Sequence, residues 1–281
     1  MAGAEFLAQT SRVELRTPSR KRPRPAKEGE SLDTLGQEFT VAGKKYFAFR
    51  RGKKISRAVN RALFSPPSQK KWRKLTAALD RGDLESAGMT PQEITKLIYS
   101  AAMSFCCAVD LLKRGDQQRP GTFFGYLISH LVATRFGVNP QRELPIVNLE
   151  SESHLPTDFT FDVPAGPRKR RKFHLPLKTS TRERAIQIFA HQAMLDNAHG
   201  RRMFAAIPVI LGETKTDQKN LEVIEICLPK QWQLYQRHLA HVARVYYLDV
   251  PEAYRQLNEG QPPIIVKQFG EFFFEADDVT P

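Results

Sequence analysis

One carboxylate and one lysine are spaced in a way that suits hydrolytic chemistry. Asp158-Phe-Thr-Phe-Asp162 alternates polar and aromatic residues, as a half-buried strand does. Phe173 to Lys178 reads as a second strand, reached through the turn Pro164-Ala-Gly-Pro-Arg-Lys-Arg-Arg-Lys172. With that turn centred near Arg168, Asp158 falls opposite Lys178. Asp158, Thr160 and Asp162 then share one strand face, while Phe159 and Phe161 turn to the core. A turn centred two residues later would make Asp162 the ligand instead. A carboxylate so placed can hold Mg²⁺ through oxygen, and the ion can acidify a water. A lysine beside it can neutralise charge developing on a phosphodiester or orient that water. Read plainly, the same two residues are a cross-strand ion pair worth roughly 0.2–1 kcal/mol.

The elements that must position this pair are α/β in pattern. Ser68 to Leu79 reads as a short basic helix, and Thr90-Pro91-Gln92-Glu93 as a capping box opening a helix to about Arg114. Thr122 is expected to cap a further helix ending near Phe136 at Gly137. After Pro140 strands begin. Beyond the hairpin, Ser180-Thr-Arg-Glu183 matches a capping box for a helix through Ile186, Phe189 and Leu195. Phe204 to Leu211 is a continuous apolar run typical of a buried strand. Leu221–Leu228 is expected as a strand, Lys230–Tyr247 as a helix, Pro251–Leu257 as a short helix and Ile264–Phe274 as an edge strand. The expectation is an α/β core, a mixed sheet flanked by helices, behind a helical N-terminal part.

Charge is unevenly spread. The 281-residue chain has a formal net charge of +13. Residues 1–75 hold 19 Lys/Arg against 6 Asp/Glu, and the rest of the chain is balanced. Arg16 to Lys27 is Pro-rich and basic and reads as a disordered arm, whereas Lys44 to Lys74 mixes basic residues with Tyr46, Phe47, Phe49, Phe64 and Trp72. Such an excess points to phosphate contacts with a nucleic acid; a solubilising tail beside a solvated face is the plainer alternative. No apolar run reaches ~18 residues and no signal peptide is visible, so neither a membrane span nor secretion is expected. Three cysteines without CxxC spacing fit a reducing compartment. His174, His191, His238 and His241 form no HExxH or HxH pattern and read as structural. No P-loop or GxGxxG motif is present, so no nucleotide cofactor is expected. Glu213-Thr-Lys215 follows the apolar run and reads as a loop.

Leu155-Pro-Thr-Asp158-Phe-Thr-Phe-Asp162 followed by His174-Leu-Pro-Leu-Lys178-Thr-Ser-Thr-Arg-Glu-Arg184 resembles the core of PD-(D/E)xK nucleases. Within these, the chain is most similar to type II restriction endonucleases, including the group reading CCGG or CCNGG sites. The resemblance implies Asp158 and Lys178 as catalytic residues and Asp158, with Asp162 or Glu183, as ligands of Mg²⁺. Where the family carries an acid two residues before the lysine, this chain has Pro176. Some of the group take that acid about thirteen residues after the lysine, and His191 occupies that position here, leaving Glu183 and, more distantly, Glu213 as candidates for it. Arg182-Glu183-Arg184 resembles a cluster that reads C·G pairs by bidentate arginine–guanine and carboxylate–cytosine bonds. Lys169 and Arg170 at the hairpin tip read either as a solvated turn or as a phosphate clamp. The implied arrangement is a basic arm over 1–40, a mainly helical DNA-binding or dimerising part over 41–140 and a nuclease core over 141–281. The implied activity is cleavage of double-stranded DNA by a homodimer or higher homo-oligomer in the prokaryotic cytosol. A repair nuclease of the same fold and a non-catalytic DNA-binding protein are the alternatives.

Overall fold

The computed structural model describes residues 35–279 apart from 52–53, 67, 113–117, 148–151, 167–168, 202, 218–219 and 221. Most of the segment expected as a disordered arm, residues 1–34, lies outside the described residues, as does the centre of the hairpin turn. The boundary expected at residue 40 falls inside a strand. β1 (Leu35–Val41) pairs antiparallel with β2 (Lys44–Arg51) across Ala42-Gly43. Both turn residues have positive φ, 47° and 76°, as a two-residue primed turn requires. β3 (Lys54–Ile55) and β4 (Val59–Asn60) also pair with β2. In β2, Tyr46 and Ala48 are buried on one face, while Phe47 meets Phe49 and Phe64 edge-on. The part expected to be mainly helical therefore opens with a four-stranded sheet, because Lys44–Arg51 alternates with period 2.

Three helices follow. α1 (Gln69–Arg81) is capped by Ser68, which accepts from the Lys71 amide, and ends at Gly82 in the left-handed region. α2 (Pro91–Leu112) has the expected capping box, with Thr90 and Glu93 bonded reciprocally. Among the described residues α2 is long and apolar enough to cross a bilayer, but 61% of its most apolar window is buried inside the protein. α3 (Gln118–Phe136) starts four residues earlier than expected. The Thr122 hydroxyl bonds to the Gln118 carbonyl within the helix instead of capping it.

The core consists of two sheets. β5 (Gln141–Val147), β6 (Glu152–Gly166), β7 (Lys169–His174) and β9 (Ala205–Ala206) form a mixed one. β8 (Leu177–Lys178), β10 (Val209–Ile210), β13 (Val245–Tyr247) and β14 (Val266–Gln268) form a parallel one, in the order β14-β13-β10-β8. The expected strands 173–178 and 204–211 are both interrupted. Phe173 and His174 pair with Ala205 and Ala206, and Leu177 and Lys178 pair with Val209 and Ile210. The common offset sets Pro176 beside Pro208. Neither proline has an N–H to donate, so regular pairing lapses there, while the Ile207, Val209 and Leu211 amides donate in turn to the His174, Pro176 and Lys178 carbonyls.

Helix α4 (Ala185–His199) and helix α5 (Pro229–His238) pack against each other on this core, and a hairpin of β11 (Thr214–Asp217) and β12 (Glu222–Glu225) projects after β10. The helix expected over 230–247 ends at His238, and 245–247 is the buried strand β13. Its residues are fully buried, and a short apolar run between two parallel neighbours has no period to separate it from a buried helix. After the short α6 (Glu252–Arg255), the expected edge strand 264–274 reduces to β14, which does lie at the edge. From Phe269 the chain becomes α7 (Phe269–Val279), packed on α2. The mixed α/β core flanked by helices is as expected.

Candidate active site

Asp158 lies in the middle of β6, held there by its buried neighbours Phe159 and Phe161, and Lys178 ends β8. The observed register pairs Asp162 with Lys172 and Thr160 with His174, so the hairpin centres one residue earlier than expected. Continued, that register would set Asp158 against Pro176. The chain instead leaves the β6 ladder after the Leu175 amide bonds to Phe159, and the Leu177 amide turns to the Asp158 side chain. Lys178 reaches Asp158 all the same. Lys178 Nζ is 2.8 Å from Asp158 Oδ2, and the Leu177 amide donates to the same oxygen at 3.0 Å. The pair is partly open, with side-chain exposures of 31% and 22% for Asp158 and Lys178.

Two histidines stand behind it. His174 is fully buried, and neither ring nitrogen has a hydrogen-bond partner among the described residues. Burial pushes its pKa down to about 3; Asp158 opposes the shift, and His191 and Lys178 add to it. His191 has its ring centroid 5.9 Å from that of His174 and is also pushed down, chiefly by burial. The position thirteen residues after the lysine therefore does lie in the field of Asp158 and Lys178. Its occupant is an imidazole.

Asp162 is not brought to the pair. It lies four residues along the strand, about 13 Å at ~3.3 Å per residue. Arg170 Nε holds it at 2.6 Å and Lys172 Nζ approaches to 3.8 Å. Lys169 is exposed, and Arg170 is engaged with Asp162. Arg182, Glu183 and Arg184 form a 3₁₀ turn leading into α4. The side chain of Glu183 lies outside the described residues. Arg184 is exposed and reaches back to the Ser180 carbonyl at 3.3 Å. The helix start expected at Ser180 is not observed: α4 begins at Ala185 behind the 3₁₀ turn, and the Ser180 hydroxyl donates to Glu213. Glu213, read from the sequence as a loop residue and a distant candidate for the missing acid, is buried against the segment that follows Lys178. Its signal in the sequence is an acid two residues past the apolar run 204–211.

The donor set fits a hydrated hard cation better than a protein cage. Both hydrogen bonds to Asp158 fall on Oδ2, which leaves Oδ1 for an ion. Among the described residues no group of three His, Cys, Asp or Glu is placed to hold a metal. Mg²⁺ keeps several waters and is commonly held by one or two carboxylates together with substrate phosphate, so a single carboxylate suffices.

This arrangement of sheets, helices and strand-end residues is a restriction-endonuclease-like fold. The type IIP restriction endonuclease Kpn2I matches with a TM-score of 0.67 and 25% identity, over 86% of this chain and 83% of that one. The restriction endonuclease PspGI in complex with substrate DNA matches with a TM-score of 0.39 and 16% identity, over 67% and 73%. No protein-family model and no curated protein matches. The resemblance to type II restriction endonucleases, read from the sequence over about residues 90–275 and carried chiefly by 155–184, is matched by the fold over 86% of the chain.

Proposed function

We propose that the protein is a Mg²⁺-dependent, sequence-specific endonuclease of double-stranded DNA, acting as a homodimer or higher homo-oligomer in the prokaryotic cytosol. The observation that carries this reading is the partly open Asp158–Lys178 pair, in a fold like that of a type IIP restriction endonuclease. Asp158 Oδ1 would hold the ion, which supplies Lewis acidity toward water and phosphate when bound. Lys178, fixed by Asp158, neutralises charge on the scissile phosphate and orients the attacking water. Arg182, Glu183 and Arg184 read base edges, in the manner of enzymes of CCGG or CCNGG sites. Lys169 and Arg170 clamp phosphate. Two-fold pairing of chains suits a palindromic site, which needs one cut on each strand.

The test is digestion of phage DNA with Mg²⁺, followed by sequencing of the fragment ends. Ends sharing one terminal sequence are the expected result; random nicks would indicate a repair nuclease instead. Lys178→Ala should abolish cutting while retaining DNA binding, and a variant that cuts as well as the parent would sink the assignment. One observation favours a non-catalytic DNA-binding protein: Pro176 stands where an acid is expected. Tight binding without cleavage in either Mg²⁺ or Mn²⁺ would decide for that reading.

A further inference from the structure

Glu213 follows β10 and is 1% exposed. Its carboxylate accepts from Ser180 Oγ at 2.8 Å, from the Thr181 amide at 3.0 and 3.1 Å, from the Arg182 amide at 3.2 Å and from the Tyr247 hydroxyl at 3.0 Å. The Thr181 hydroxyl donates as well. Ser180–Arg182 follows β8, and Tyr247 ends β13. One side chain therefore ties together the carboxyl ends of three neighbouring parallel strands. Its partners also fix an unusual backbone. Arg182 has φ of 44°, a left-handed conformation that a residue with a side chain keeps only where its surroundings hold it. The amides of Thr181 and Arg182, the two that lead into that residue, both point at Glu213. The chain then runs directly into Arg182-Glu183-Arg184.

We propose that Glu213 is a specificity-positioning residue: it fixes Ser180–Arg182 and so sets where Arg182 and Arg184 stand relative to Lys178. The inference rests on the nuclease reading above. Glutamine cannot take its place. Each carboxylate oxygen faces donors only, so an amide presents its NH₂ to the Thr181 N–H whichever way it is turned. Aspartate keeps the charge but is one methylene short. Tyr247→Phe removes one hydroxyl and leaves both backbone bonds in place.

The experiment digests phage DNA with Mg²⁺ and sequences the ends, using full-length wild type, E213Q, E213D and Y247F below their unfolding midpoints. In E213Q the ratio of ends at the preferred sequence to ends at single-base neighbours should fall about tenfold or more, the discrimination that one well-placed bidentate arginine supplies. The single-turnover rate at the preferred sequence should stay within about fivefold of wild type, since Lys178 and Asp158 are untouched. E213D should recover part of the ratio, and Y247F should keep it within about twofold. If E213Q does not fold, a lowered ratio in E213D supports the inference. An unchanged ratio in a folded Glu213 variant overturns it, whatever happens to rate or stability. A wild type that cuts nothing, or cuts at random, overturns the nuclease reading and this inference together. A selective wild type matched by equally selective Glu213 variants overturns the inference alone.

Discussion

His174 is a buried imidazole without a hydrogen-bond partner among the described residues, so it folds neutral. Its pKa falls from an ordinary 6.5 to about 3, and between those values the unfolded chain binds the extra proton. Stability from this group is complete above pH 6.5 and is lost as pH falls toward 3. At pH 4.5 the loss is about 2–3 kcal/mol, at 1.36 kcal/mol per unit. His174→Leu should remove that part of the acid sensitivity, read from urea unfolding at pH 7 and 4.5; an unchanged difference between the two pH values would mean that His174 folds protonated. The residue also shows where side-chain legibility ends. Asp158 and Lys178 are visible as a pair because a strand has a fixed period. The approach of His174 and His191 to each other depends on how α4 packs over β7, and no spacing in the chain encodes that.

The starts of α2 and α7 touch backbone to backbone. The Gly270 amide donates to Thr95 Oγ1 at 2.9 Å, and that hydroxyl donates to the Pro91 carbonyl at 2.8 Å. A Cβ on Gly270 would run into the Pro91 carbonyl and come within 2.7 Å of Thr95 Oγ1. Gly270→Ala should therefore destabilise the fold by about 1–3 kcal/mol, measured by urea unfolding; a neutral result would mean that α7 can shift without loss. Elements with their own local signals were readable. Ser68 and the Thr90/Glu93 box mark helix starts through bonds made within four residues. Val245–Tyr247 and Val266–Gln268 carry no such mark, because what makes them strands is a parallel neighbour: one on each side of the first, one beside the second. The capping pattern at Ser180 misled for a related reason: Ser180–Arg182 is bound to Glu213, more than thirty residues away, and Arg182 is held in a left-handed conformation that does not continue a helix.

The excess charge of the molecule is built into its fold. Residues 35–75 hold twelve Lys/Arg against one acid, Glu38, whereas residues 1–34 hold seven against five. The excess thus sits on the N-terminal sheet and α1 more than on the arm. That sheet is anchored to the core by Asp249, 5% exposed, which accepts from Lys44 Nζ, the Tyr46 hydroxyl and Asn60 Nδ2, each at 2.9 Å. Asp249 follows β13, so the anchor lies at the same strand ends as Lys178 and Glu213. Lys44, Lys45, Arg61 and Arg255 line the cleft beside it. α1 adds Lys70, Lys71, Arg73 and Lys74, all exposed. Replacing these four by Gln should lower the slope of log binding constant against log salt by up to about 3–4 and leave the preferred sequence unchanged. A filter-binding series across salt concentrations measures the slope; an unaltered slope would put the phosphate contacts elsewhere.

Pro176 and Pro208 stand side by side where the two core sheets meet. The Leu175 amide faces β6 and donates to the Phe159 carbonyl, whereas Pro176 faces β10 and its carbonyl takes the Val209 amide. Beyond it, Lys178 belongs to the parallel sheet while Asp158 stays in the mixed one. The Asp158–Lys178 ion pair therefore bridges the two sheets. Replacing either residue removes a link between the sheets together with a reactive group.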